Sequence, residues 1–394
     1  MINYGRHYID KKDIKAVVKT LKSNFLTQGP KVIEFEKKLN YLCGSKYTCA
    51  VSSGTAALHL AILSLGIKKN DCVITSPITF LASANSILYA GAKPIFVDID
   101  KKNYCIDLEK LEKKLIEHKK KNRKIKAVII TDYAGHVADW GKIKQLSKKY
   151  KFFTINDNCH ALGAKYKKDK KYACKYADIV TQSFHPVKVI TTGEGGAVLT
   201  NHKKFFYKIN ILRTHGIERN EKLKKKFGNW YYQMNFLGFN YRLSDLQASL
   251  GISQLKKINK FINKRKKLAK VYDFHFKNNS LFSIPRIESY CEHSYHIYPL
   301  KINFKNIKIN KKKFFQILLK KKLNLQVHYI PIHLQNFYKK LLNHKVGDFP
   351  VSENYYKETV SLPLFYSLKF SEQKKVINEI LSICEKLKKN SFIY

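Results

Sequence analysis

Residues 47–65 read YTCAVSSGTAALHLAILSL. Tyr47–Val51 is a short, β-rich apolar run, and Thr55–Leu65 is a longer, helix-length amphipathic segment. Small residues, Ser52-Ser53-Gly54-Thr55-Ala56-Ala57, join the two. The same alternation continues outward from this unit. Further strands are expected at Cys72–Ser76, Pro94–Asp98, Ala127–Thr131, Phe152–Asn156, Asp178–Ser183 and Ala197–Thr200. Helix-length segments such as Leu108–Lys119 and Trp140–Tyr150 lie between them. Such β-α alternation predicts an α/β fold with a mainly parallel sheet covered by helices on both faces. Ligands of these sheets sit beyond the carboxyl ends of the strands. Polar residues just after strands are therefore the first candidates for chemistry.

From Leu243 to about Lys270 the segment LSDLQASLGISQLKKINKFINKRKKLAK repeats its apolar residues at three and four, which predicts one long helix. Helical and β segments alternate again from about residue 290. The expected division is a large domain over residues 1–250, then a linking helix and a smaller α+β domain over 251–394. With 394 residues, 44% of them hydrophobic, the chain can bury one large core or two of unequal size. No apolar run approaches the ~20 residues of a membrane helix. The opening MINYGRHYIDKKDIK lacks the apolar core of a signal peptide. The eight cysteines stand far apart with no C-x-x-C pair, so no metal site is expected. These features predict a reduced, cytoplasmic protein without a membrane partner.

Charge is the loudest feature of the composition: 75 basic against 29 acidic residues, a net +46. Such a field suits anionic partners. Only seven of the basic residues are Arg, the preferred reader of phosphates and bases, and the lysines are scattered in short runs. The reading is of solvated basic faces that attract an anionic substrate, with no nucleic-acid partner.

Three polar sets follow strands. Ser52–Ala57 opens a helix, where small residues and a helix N-terminus suit an anion, though a plain capped turn reads the same way. Asn156-Asp157-Asn158-Cys159-His160 closes a strand; Asp157 could hold a positively charged ring nitrogen or merely cap the next helix. Ser183-Phe184-His185-Pro186-Val187-Lys188 leads into the glycine-rich TTGEGG of residues 191–196. A lysine desolvated there becomes a nucleophilic amine, whereas a solvated one is inert. An anion cradle, an acid for a ring nitrogen and an amine nucleophile together are the three partners that pyridoxal 5′-phosphate (PLP) requires.

In this order the motifs resemble the DegT/DnrJ/StrS sugar-nucleotide aminotransferases. The resemblance runs from YGRHYIDKKDI and FLTQGP through SSGTAALHLA, SPITFLASAN, KPIFVDID, TDYAG, NDNCHALG and SFHPVKVITTGEGGAV. It continues through LRTHGI, GFNYRLSDLQASLGISQL, SYHIYP, LQVHYIPIH and SLPLF. It implies the fold of PLP-dependent transferases of type I, like aspartate aminotransferase. Lys188 resembles the lysine that binds the cofactor covalently and shuttles a proton. Asp157 resembles the partner of the pyridine nitrogen. His160 stands where relatives have Gln or His near the ring oxygen, and Phe80 where an aromatic stacks on the ring. Thr55, Ala56 and Ser183 match phosphate-binding positions. Asn240 resembles a residue reaching the phosphate of a neighbouring subunit, with Arg242 close by, which implies a homodimer with shared sites.

Within the family, SFHPVK, DYAG and QVHYIPIH look most like the pseudaminic acid branch. That likeness implies transfer of an amino group from L-glutamate to C4 of a UDP-linked 4-keto-6-deoxy-N-acetyl-hexose. Tyr4, Arg242, His328, Tyr329 and His333 are the expected substrate residues. The alternatives are the same chemistry on a bacillosamine, legionaminic or perosamine precursor and, more remotely, a basic regulatory protein on the same fold. Asn156 stands where many relatives have Glu, and Asn158 replaces a small residue. Some relatives carry His in place of the lysine and act as dehydrases; Lys188 argues against that activity.

Overall fold

The computed structural model describes residues 1–219 and 221–389. Seven strands form the central sheet: β1 (Tyr47–Val51), β2 (Cys72–Thr75), β3 (Lys93–Phe96), β4 (Ile125–Thr131), β5 (Phe153–Asp157), β6 (Ile179–Ser183) and β7 (Gly196–Thr200). Their order is β1-β7-β6-β5-β4-β2-β3. β7 runs antiparallel to both neighbours, and every other pairing is parallel. The strands are buried almost continuously, and successive side chains enter opposite faces of the sheet. In β4, Val128 and Ile130 enter one core cluster while Ala127 and Ile129 enter another. Both faces are thus buried, as helices on both sides require. Each such Val or Ile contributes ~1.5–3 kcal/mol through burial.

Strand register fixes where the functional ends meet. Val51 and Ser183 both lie opposite Gly196, and Asp157 lies between Thr131 and Thr181. A Cβ on Gly196 would stand 2.3 Å from the Ser53 carbonyl oxygen, so only glycine lets the three chains close up there.

The long helix expected over 243–270 is two helices, α2 (Asp245–Leu255) and α3 (Ile258–Phe276). Neither proline nor glycine marks the break. It is held by tertiary bonds: Lys257 Nζ reaches Asp13 at 2.5 Å and Asp10 at 3.0 Å, and Gln254 Nε2 donates to Asp13 and to the Tyr8 carbonyl. A second core from Leu268 to Cys384 packs around an antiparallel sheet of Phe282–Ser283, Tyr298–Ile302 and Thr359–Leu362. Ile2–Asn3 pairs with Leu323–Asn324, so the N-terminus joins this later part of the chain. We propose that the smaller unit begins near residue 250 and takes in that N-terminal strand.

Candidate active site

The carboxyl ends of β1, β5 and β6 surround a cavity of about 410 Å³. At one end helix α1 (Gly54–Ser64) begins, capped by Ser53, whose Oγ accepts the Ala56 N–H at 3.0 Å. Gly54 and Thr55 line the cavity beside Ser183. A Cβ on Gly54 would fall 2.8 Å from that of Ser183, so the missing side chain lets the strand end press against the helix N-terminus. No acidic residue stands in the first turn. Backbone dipoles and hydroxyls there suit a phosphate.

Asp157 projects from the end of β5. Its Oδ2 accepts the Ser83 hydroxyl at 2.9 Å, and its Oδ1 accepts the Cys159 N–H at 3.3 Å. The two flanking asparagines that depart from the family share one partner. Asn156 and Asn158 both donate to Oδ2 of buried Asp132, at 3.0 and 2.8 Å, and Tyr172 donates to the same oxygen at 2.7 Å. Oδ1 of Asp132 accepts the Ala138 N–H and the Trp140 indole N–H. Burial pushes the Asp132 carboxyl up, and the hydrogen bonds from Tyr172, Ala138, Trp140 and Asn158 act against it. The departures thus form a clamp on both sides of Asp157.

Lys188 sits in the loop after β6, half-buried in the cavity wall, its N–H donating to the His185 carbonyl at 2.9 Å. Burial lowers its proton affinity below the usual lysine range; Cys159 and Asp157 pull the other way. Phe80 leaves 54% of its surface exposed at the cavity, an open aromatic face 5.9 Å from the Tyr329 ring. Tyr4 packs on His328, whose Nδ1 lies 2.8 Å from Ser361 Oγ. Burial, then Lys188, bring the His328 pKa down to about 3. Tyr329 Oη meets His160 Nε2 at 3.1 Å.

Four expected residues stand apart from the cavity. The Ala56 N–H is already engaged by Ser53. Asn240 is exposed and bridges Thr214, and Arg242 bridges Val51 through its backbone. His333 requires correction: a 3-10 turn over Ile332–Leu334 turns it away from the cavity, where it is buried against Phe349 with its Nε2 on Glu353 at 3.1 Å. Ser53, Cys159, His185 and Glu194, which belong to the three polar sets without an assigned role, also line the cavity, as do Thr79 and His296. His185 and Glu194 flank Lys188 in sequence and were within reach of the same reading. Thr79 and His296 come from distant segments that only the fold brings together.

The family model of the DegT/DnrJ/EryC1/StrS aminotransferases matches residues 7–381. The chain belongs to this family. It is 42% identical over 391 residues to the UDP-4-amino-4,6-dideoxy-N-acetyl-beta-L-altrosamine transaminase of Campylobacter jejuni, covering 99% of each chain. Among solved structures it resembles Helicobacter pylori PseC, an aminotransferase involved in the biosynthesis of pseudoaminic acid. The TM-score is 0.88 at 32% identity, over 98% of this chain and 99% of that one. A sugar aminotransferase of Streptococcus pneumoniae in its pyridoxamine phosphate form gives 0.88 at 27% identity, over 98% of this chain and 100% of that one.

As a member of this family the protein is a PLP-dependent sugar aminotransferase of fold type I. The cavity fits that cofactor: a cradle that a Cβ on Gly54 would fill, a carboxylate on a strand end, a half-buried amine and an exposed aromatic face. When bound, PLP supplies an electron sink for proton transfer at carbon.

Proposed function

We propose that this enzyme moves the amino group of L-glutamate to C4 of UDP-2-acetamido-2,6-dideoxy-β-L-arabino-hexos-4-ulose. The product is UDP-4-amino-4,6-dideoxy-N-acetyl-β-L-altrosamine, in pseudaminic acid biosynthesis. The observation that carries this reading is the 42% identity to the Campylobacter transaminase over 99% of each chain. In this reading Ser53, Gly54, Thr55 and Ser183 hold the phosphate, Asp157 keeps the ring nitrogen protonated, and Phe80 covers one ring face. Lys188 Nζ, its proton affinity lowered by burial, takes a proton from Cα of glutamate and returns one to the sugar's C4. Tyr4, His328 and Tyr329 face the sugar.

A homodimer is part of the proposal. Asn240 and Arg242 lie outside their own chain's cavity, and the preceding segment exposes Trp230 at 81% and Leu237 at 83%. An apolar surface of this kind marks an interface. Among the described residues no helix is long and apolar enough to cross a membrane, and no group of three metal-ligating side chains occurs. We place the protein in the cytoplasm, its basic surface drawing in the UDP-sugar. The test is incubation of PLP-loaded protein with L-glutamate and the L-arabino ketone, with products identified by NMR. Formation of 2-oxoglutarate and the 4-amino sugar is expected; formation of neither would refute the reading.

A further inference from the structure

Ala134 has φ 58° and ψ 0°, the left-handed region that a residue with a Cβ enters only at a cost. Strain of this kind persists where the surroundings over-determine it. The turn is gripped on one side, where the Ala134 carbonyl accepts the N–H groups of His296 and Ile297 at 2.9 and 3.2 Å. On the other side its own N–H donates to His160 Nδ1 at 3.3 Å.

That bond fixes the histidine's chemistry. His160 is buried, its ring tilted at 47° against that of His296 with centroids 4.4 Å apart. Burial, then Lys188 and His328, hold its proton affinity far below the ordinary value, so the ring is neutral. A neutral imidazole that accepts at Nδ1 carries its hydrogen on Nε2. Nε2–H therefore donates to Tyr329 Oη, 3.1 Å away. Among the described residues Tyr329 Oη has no other hydrogen-bond partner. Its own hydrogen points away from His160, and Tyr329 lines the cavity with Lys188 and Phe80.

We propose that Ala134 N–H, His160 and Tyr329 form a hydrogen-bond chain of fixed direction that makes the Tyr329 hydroxyl an obligatory donor to a carbonyl or anionic oxygen in the cavity. Burial holds the phenol well above its usual pKa, so it stays protonated. The oxygen belongs either to the cofactor ring or to the keto-sugar; the sugar case rests on the proposed function, and the cofactor case does not.

Three variants of the full PLP-loaded enzyme test the chain. Tyr329→Phe removes the donor. His160→Glu offers only acceptors, so it draws the Tyr329 hydrogen back to itself. His160→Gln keeps one acceptor and one donor and preserves the direction. If the acceptor is the cofactor oxygen, Tyr329→Phe and His160→Glu shift the pH titration of the bound cofactor's visible absorbance upward by about one unit without substrate, since the lost donor stabilised the deprotonated form. His160→Gln then titrates like wild type. If the acceptor is the sugar oxygen, the titration stays put, and the same two variants slow the sugar half-reaction about tenfold while sparing the glutamate half-reaction. Tyr329→Phe equal to wild type in both readouts overturns the proposal, as does His160→Glu behaving like His160→Gln in both. Should the wild type convert no UDP-sugar, the functional reading fails, and the absorbance titration alone decides the proposal: no shift in Tyr329→Phe then overturns it.

Discussion

Replacing Asp132 by Asn tests whether the clamp around Asp157 is energetically real. The substitution keeps shape and turns one acceptor oxygen into an NH₂ donor. Oδ1 of Asp132 accepts two N–H groups and Oδ2 accepts three donors. Whichever oxygen is lost, at least two buried donors then face a donor. At ~1–3 kcal/mol for each buried group left unpaired, the cost is about 2–6 kcal/mol. Unfolding entropy of about 2.1 cal/mol/K per residue gives roughly 0.8 kcal/mol/K for a chain of this length, so Tm should fall by about 2–7 °C. The assay is calorimetric melting of the apo protein. Asn156 and Asn158 flank Asp157, so a fluorescence titration should also show cofactor affinity reduced by about tenfold or more. A melting point within about 1 °C of wild type, with unchanged affinity, would refute the reasoning.

Gly54→Ala places a methyl 2.8 Å from Ser183 Cβ, so cofactor affinity should drop at least about tenfold while the apo melting point moves by only about 1–2 °C; unchanged affinity would remove the cradle argument. Lys188→Ala should abolish transamination and the visible absorbance of bound cofactor, and near-normal turnover would sink its assigned role. His136 is buried with its pKa pulled down to about 4, chiefly by desolvation, from an ordinary 6.5. The unfolded chain therefore binds more protons between pH 4 and 6.5, so stability is lost as pH falls through that window, by about 3 kcal/mol in all. His136→Gln, which can still accept the Glu288 N–H, should flatten the decline of Tm between pH 7 and 5; an unchanged slope would contradict this.

Much of this architecture is legible in the residues, because continuously buried strands and short strand-to-helix turns leave marks on local sequence. All seven expected strands of the sheet are present, with ends displaced by a residue or two. The split between α2 and α3 left no mark. Lys256-Lys257 is unremarkable in a helix, and the turn depends on Asp10 and Asp13, more than 240 positions away. The site shows the same divide. Asp157, Ser183 and Lys188 sit on strand ends and the loop that follows them, where parallel sheets hold ligands, and the cavity collects all three. His333 lies in an equally suggestive HYIPIH string, yet one tight turn carries it away to Glu353. Asp132 is a single carboxylate in TDYAG, and nothing local shows that five donors converge on it. The asparagines read as departures in sequence become intelligible only beside that carboxylate.

Purified protein carrying the amine form of its cofactor would be mixed with two UDP-linked 4-keto-6-deoxy-N-acetyl-hexoses epimeric at C5. Return of the aldehyde form's visible absorbance reports transfer, and NMR identifies the amino sugar. The account predicts rapid conversion of the L-arabino ketone and poor conversion of its D-xylo epimer. Preference for the D-xylo epimer would contradict it and move the enzyme to a bacillosamine-type substrate.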